Sequence, residues 1–268
     1  MAAPAISKPA LSFFRRIVRR YFRRHFHSVR VIGAQRLVAH SLPHTGPLIV
    51  YANHGSWWDP MVAILLAERF TSDRLHFAPM DAASLARYGI LKHVGVFPVE
   101  LQSPRGAVNF LRTGEEILRA GGVLWITPQG RFVDARVRPL EFKPGLAALA
   151  VRVAATAGRC TLMPLAIEYP FWDERLPECL LAFGEPVEVK AGEQAERLHT
   201  RLPAALEVAM EDLKQRSMRR DPAEFESLGV GTLGIGGFYE FGRKMKALVS
   251  RRPYQPEHTL LPTERPDA

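Results

Sequence analysis

The stretch "PLIVYANHGSWWDPMVAILLAERF", residues 47–70, decides the fold. Its first part, PLIVYAN (47–53), is a short apolar run bounded by turn residues and reads as a buried strand. Its last part, PMVAILLAERF (60–70), reads as a helix. Between them Gly55 permits unusual dihedral angles, and Pro60 suits the first turn of a helix. A residue before proline avoids the helical region, so Asp59 is expected just outside the helix. His54 then stands at the C-terminal edge of a sheet, where open α/β folds bind their ligands.

His54 and Asp59 are five residues apart, which on a helix would separate them by about 140°. They can meet only across a turn. Two readings follow. Asp59 is a helix cap and His54 a surface polar residue, or Asp59 fixes the tautomer of a histidine that takes a proton. Spacing alone favours the plainer of the two. Ser56 reads as turn chemistry rather than as a nucleophile. Trp57 and Trp58 read as packing residues, with a tunnel wall or a lipid interface as the alternative. Trp125 reads as core.

The same strand–helix alternation continues outward. HVGVFPVE (93–100), VLWIT (123–127) and TLMPLAIEY (161–169) read as strands. SPRGAVNFLRTGEEILRAGG (103–122) reads as a helix, with Ser103 as N-cap, Pro104 at the first position and glycines at its end. GLAALAVRVAATAG (145–158) is a second helix, and residues 193–219 read as helical with a break near Pro203. The expected fold is therefore α/β: a single sheet domain of mostly parallel strands flanked by helices.

Composition is that of a folded domain, with 47% hydrophobic and 24% charged residues, and no apolar run reaches 18 residues. Cys160 and Cys179 have no metal-ligand spacing and read as inert core thiols. No metal or redox cofactor is indicated. The net charge of +9 is concentrated at one end: residues 1–36 hold nine Lys or Arg and no acid. Without those nine, the 27 remaining basic residues equal the 27 acidic ones. The stretch FFRRIVRRYFRRHF (13–26) alternates apolar and arginine pairs, the pattern of a basic amphipathic helix lying on an anionic membrane surface. A helix folded onto the body, a nucleic-acid arm and a transit peptide share parts of that pattern. Six large apolar residues argue against nucleic acid, and the lack of an uninterrupted apolar segment argues against a signal peptide. The expected division is a membrane-interface arm over 1–30, a sheet domain over 31–220 and a C-terminal extension over 221–268. That extension contains the glycine-rich GVGTLGIGGF (229–238) and the basic residues Arg243, Lys244, Lys246, Arg251 and Arg252.

NHGSWWDP (53–60) resembles the His-x4-Asp block of the glycerolipid acyltransferases, the 1-acylglycerol-3-phosphate acyltransferase family. Three further blocks follow in the family's order: GVFPVE (95–100), ITPQGRF (126–132) with FKPG (142–145) behind it, and MPLAI (163–167). The resemblance implies that His54 is a general base oriented by Asp59. Asn53, Gln129 and Gly130 are the expected substrate contacts, with the Pro128–Gly130 turn offering backbone N–H groups to the oxyanion. Arg105, Arg131 and Lys143 are the expected substitutes for the family's phosphate-binding arginines, although none stands at those arginines' positions. The resemblance implies transfer of a fatty acyl group from a thioester on coenzyme A or acyl carrier protein to a hydroxyl of a lysolipid. It also implies a peripheral place on the cytoplasmic face of a membrane. The third block departs from the family's Phe-Pro-Glu-Gly-Thr-Arg: Gln129 replaces the glutamate, and Phe132 falls where the arginine belongs. An acceptor without a phosphomonoester, such as a lyso-aminolipid or glycosylated lipid, therefore stands beside the phosphate-bearing one. A non-catalytic lipid-binding protein on the same scaffold is the other alternative, and the retained His54 and Asp59 argue against it.

Overall fold

A computed structural model describes residues 4–42, 46–100 and 103–230. Helix α1 (Lys8–His25) is followed by β1 (Ser28–Ile32), α2 (Ala34–Ser41), β2 (Leu48–Ala52) and α3 (Asp59–Phe70). Then come β3 (His76–Asp81), α4 (Ala82–Arg87), a 3-10 segment (Gly89–Val94), β4 (Val96–Val99), α5 (Pro104–Arg119) and β5 (Val123–Ile126). The chain continues through α6 (Gly145–Ala157), β6 (Arg159–Glu168), β7 (Glu178–Phe183), β8 (Val187–Lys190), α7 (Ala195–Arg219) and β9 (Glu226–Val230).

Among the described residues, nine strands form one sheet in the order β4-β3-β5-β2-β6-β7-β1-β9, with β8 paired to β6 off that path. The run β4-β3-β5-β2-β6 is parallel, and β7, β8 and β9 bring antiparallel pairings. Every residue of β2 is buried, because helices cover both faces of a central parallel strand. Alternation then sorts its side chains. Ile49 and Tyr51 join the core under α5, α6 and α7, while Leu48, Val50 and Ala52 join the core under α1, α2 and α3.

Helix α5 begins as the sequence predicts: Ser103 Oγ accepts the Gly106 N–H at 3.3 Å, and Pro104 opens the helix. Two expectations need correction. Helix α7 runs unbroken through Pro203, held against the sheet by buried Leu198, Leu202 and Leu206 on either side of the missing N–H. Asp59 is the first residue of α3 rather than a cap outside it, because its N–H already bonds the Ser56 carbonyl at 3.2 Å.

Helix α1 exists because Ser7 caps the Ala10 N–H at 3.4 Å and an apolar row repeats every four residues. Val18, Phe22 and Phe26 of that row are buried against the body, while Arg16, Arg20, Arg23 and Arg24 face outward. Strand β1 follows directly, so Ser28 to Arg30 are sheet residues, and β9 pairs antiparallel with β1. The glycine-rich run beyond Val230 and the basic residues after it lie outside the described residues.

Candidate active site

The ends of three adjacent strands build the site. The chain leaves β2 into His54, β5 into the Pro128–Gly130 turn, and β6 into Tyr169. The turn after β2 brings His54 back over Asp59: their side chains meet at 2.7 Å, Nδ1 to Oδ2. An ionised carboxylate only accepts, so Nδ1 carries the proton and Nε2 is the free lone pair of the neutral ring. The imidazole keeps 17% of its side-chain surface, whereas the Asp59 side chain keeps 2%.

Burying a carboxylate costs several kcal/mol unless donors surround it. Asp59 has three. Oδ2 accepts the Ser56 N–H at 3.1 Å as well as the imidazole, and Oδ1 accepts the Tyr169 hydroxyl at 2.7 Å. Burial, then the neighbouring Cys179 and Asp59, raises the Tyr169 phenol well above its usual range, so it stays a donor. Burial likewise keeps the Cys179 thiol protonated.

The third block grips His54 from the other side. The Gln129 Oε1 accepts the His54 N–H at 2.8 Å, and the Val133 N–H donates to the His54 carbonyl at 2.8 Å. The Phe132 ring leans on the imidazole, with centroids 4.4 Å apart, and is 59% exposed. Gly130 holds a left-handed φ of 65°, and a Cβ there would lie 2.8 Å from Lys143 Cε. Lys143 is therefore folded along this turn, and its N–H donates to the Pro128 carbonyl at 2.8 Å.

The expected substrate-binding residues divide accordingly. Gln129, Gly130 and Lys143 gather beside His54. The Gln129 side chain is buried and holds the His54 backbone, and the Gly130 N–H bonds the Thr127 carbonyl at 3.0 Å, so it is not a free donor for an oxyanion. Asn53 is 2% exposed and bonds the Ile167 backbone twice, at 3.0 and 2.8 Å, clamping β2 to β6 instead of facing a ligand. Arg131 is exposed and lies 3.6 Å from Glu141. Arg105 is exposed in the first turn of α5, and among the described residues no hydrogen bond joins it to this group.

Sequence reasoning missed Tyr169, although the strand TLMPLAIEY ends on it. Trp58 packs as expected: its ring meets Phe26 edge-on at 4.8 Å and Phe22 at 5.8 Å. Trp57 is 56% exposed. Helix α1 thus abuts the turn that joins His54 to Asp59.

Comparison with known proteins agrees with the motif. No curated protein matches the chain. The acyltransferase family model matches residues 29–168, more than half of the 268 residues, and that span holds all four blocks quoted above. The chain belongs to the acyltransferase family, the glycerolipid acyltransferases whose His-x4-Asp block it carries.

Proposed function

We propose that this protein is a membrane-associated O-acyltransferase. It moves a fatty acyl group from a thioester, on coenzyme A or acyl carrier protein, to a hydroxyl of a lysophospholipid or related lipid. The observation that carries the reading is the 2.7 Å contact between His54 and a fully liganded Asp59. The acceptor hydroxyl gives its proton to Nε2 as its oxygen attacks the thioester carbonyl carbon. The tetrahedral adduct collapses, the carbon–sulfur bond breaks, and the proton passes from Nε2 to the leaving thiolate. His54 ends neutral, as it began, and Asp59 stabilises the imidazolium in between.

The outer face of α1 supplies the membrane contact. Arg16, Arg20, Arg23 and Arg24 project from it, with Phe13, Tyr21 and Trp57 exposed beside them, a mixture of cations and amphipathic rings suited to an anionic headgroup layer. No helix among the described residues is long and apolar enough to cross a membrane, so the attachment proposed is peripheral.

A second reading of the acceptor rests on Phe132. An apolar ring against the imidazole, with Arg131 beside Glu141, favours an acceptor carrying no phosphate next to its hydroxyl. One assay separates these readings. Labelled acyl thioester is offered with vesicles and a panel of lysolipids, with and without phosphate, to wild type and His54→Ala. Acylated lipid from wild type alone supports the proposal, and the preferred lipid names the acceptor. Release of free fatty acid with no acylated lipid would instead mean hydrolysis. Vesicle binding without turnover in either protein would mean a lipid-binding scaffold.

A further inference from the structure

Among the described residues, the Tyr169 hydroxyl is the one donor to Asp59 that comes from a distant part of the chain. It reaches across from the end of β6, 110 residues beyond the carboxylate it touches. We propose that Tyr169 is a positioning residue for acyl transfer: its hydroxyl, 2.7 Å from Asp59 Oδ1, fixes the carboxylate so that Oδ2 stays on the His54 Nδ1–H. The inference rests on the reading of His54 as the base.

The physical argument concerns rotation. The last torsion of an aspartate side chain is broad and weakly restrained. Oδ2 already serves two donors, the His54 ring and the Ser56 N–H, both from the same turn. Those two contacts share one oxygen and leave Oδ1 to be fixed by something else. Tyr169 does this, and its own ring is held by Phe26 at 5.6 Å. Without the hydroxyl, Oδ1 has no donor among the described residues, and the carboxylate can swing either oxygen toward the imidazole.

The other titratable groups nearby do not mask this effect. Cys179, on β7, is kept protonated by burial. Glu178, the next group, is tied to Arg30 at 3.1 Å and to Ser28. On α1, His25 faces Trp58 with ring centroids 5.5 Å apart.

The test compares full-length wild type, Tyr169→Phe and His54→Ala. Tyr169→Phe keeps the ring and removes only the hydroxyl. Its kcat should fall about 10- to 100-fold, the range for losing a hydrogen bond to a charged group, with KM for the acyl thioester within about twofold of wild type. The acidic limb of its kcat/KM profile should move from its wild-type position. A readout without turnover accompanies this: the NMR titration of the His54 ring, assigned by its loss in His54→Ala, should differ between wild type and Tyr169→Phe. Thermal unfolding of each variant separates positioning from folding. A wild-type kcat and an unmoved His54 titration in folded Tyr169→Phe would overturn the inference, as would a kcat loss that follows stability alone with no change in titration. If His54→Ala itself turns over like wild type, the underlying reading fails, whatever Tyr169→Phe does.

Discussion

Asp59 and Phe132 bound the imidazole on two sides, and they differ in how far sequence alone exposes them. His54 and Asp59 sit in one short turn, so their meeting is legible from Gly55, Pro60 and the end of an apolar strand. Asp59 still departs from the simple picture, entering the helix itself because the Ser56 carbonyl takes its N–H. Tyr169 reaches the site only through the β2–β6 pairing, and no local pattern announces that. Asn53 looks like a site residue because it adjoins His54, yet its amide pins β2 to β6. Losing that clamp leaves buried polar groups unpaired, so Asn53→Ala should lower stability by about 1–3 kcal/mol in denaturant unfolding. Phe132 carries a prediction about substrate. Replacing it with arginine, as in the family's third block, should shift preference toward acceptors with a phosphate beside the hydroxyl. Competition between phosphate-bearing and phosphate-free lysolipids measures this, and an unchanged ratio would remove Phe132 from acceptor choice.

At the scale of elements, α1 has two faces with separable roles. Its amphipathic pattern is plain in the sequence, but the pattern does not say what covers the apolar side. The structure gives Val18, Phe22 and Phe26 to the protein core, where Trp58 and Tyr169 meet them. Deleting residues 1–26 would therefore remove core as well as charge. Phe22→Ala should cost about 3–5 kcal/mol of stability in denaturant unfolding. Changing Arg16, Arg20 and Arg24 to Gln should leave stability nearly unchanged while weakening binding to anionic vesicles by about 1 kcal/mol per residue. Cosedimentation at two salt concentrations checks this, since screening should erase most of the difference. Strands β1 and β9 were illegible for a physical reason. SVRVI holds three β-branched apolar residues but follows directly on the arginine-rich helix, whose charge pattern masks it, while ESLGV carries too few apolar residues to signal a strand; Arg30 is tolerated inside because Glu178 lies 3.1 Å away. The unbroken α7 shows the same override, since flanking leucines outweigh one proline.

For the whole molecule, the parallel α/β sheet was legible because buried strands alternate with helices, while strand order was not, because it depends on contacts far apart in sequence. One buried group ties stability to pH. Burial pushes the His76 imidazole down to about 4 from 6.5, and its Nδ1 accepts the Trp125 indole N–H at 3.0 Å. Between those values the unfolded chain binds the proton and the folded chain does not, so the slope of stability with pH is positive there. This contribution is intact above pH 6.5 and is lost as pH falls toward 4, by at most about 1.4 kcal/mol per unit. Urea unfolding from pH 7 to 4 should show the decline, and His76→Gln should flatten it. The proposed turnover also belongs to the whole assembly, since three strand ends and the third block converge on one imidazole and α1 packs on Trp58 in the turn beside it. Its decisive measurement is the rate of acyl transfer from thioester to lysolipid on vesicles, as a function of pH, for wild type and His54→Ala. The alanine protein should lose about 10²- to 10⁴-fold in kcat/KM and lose the acidic limb of the profile. A variant that matches wild type at every pH would contradict the assignment of His54 as the base.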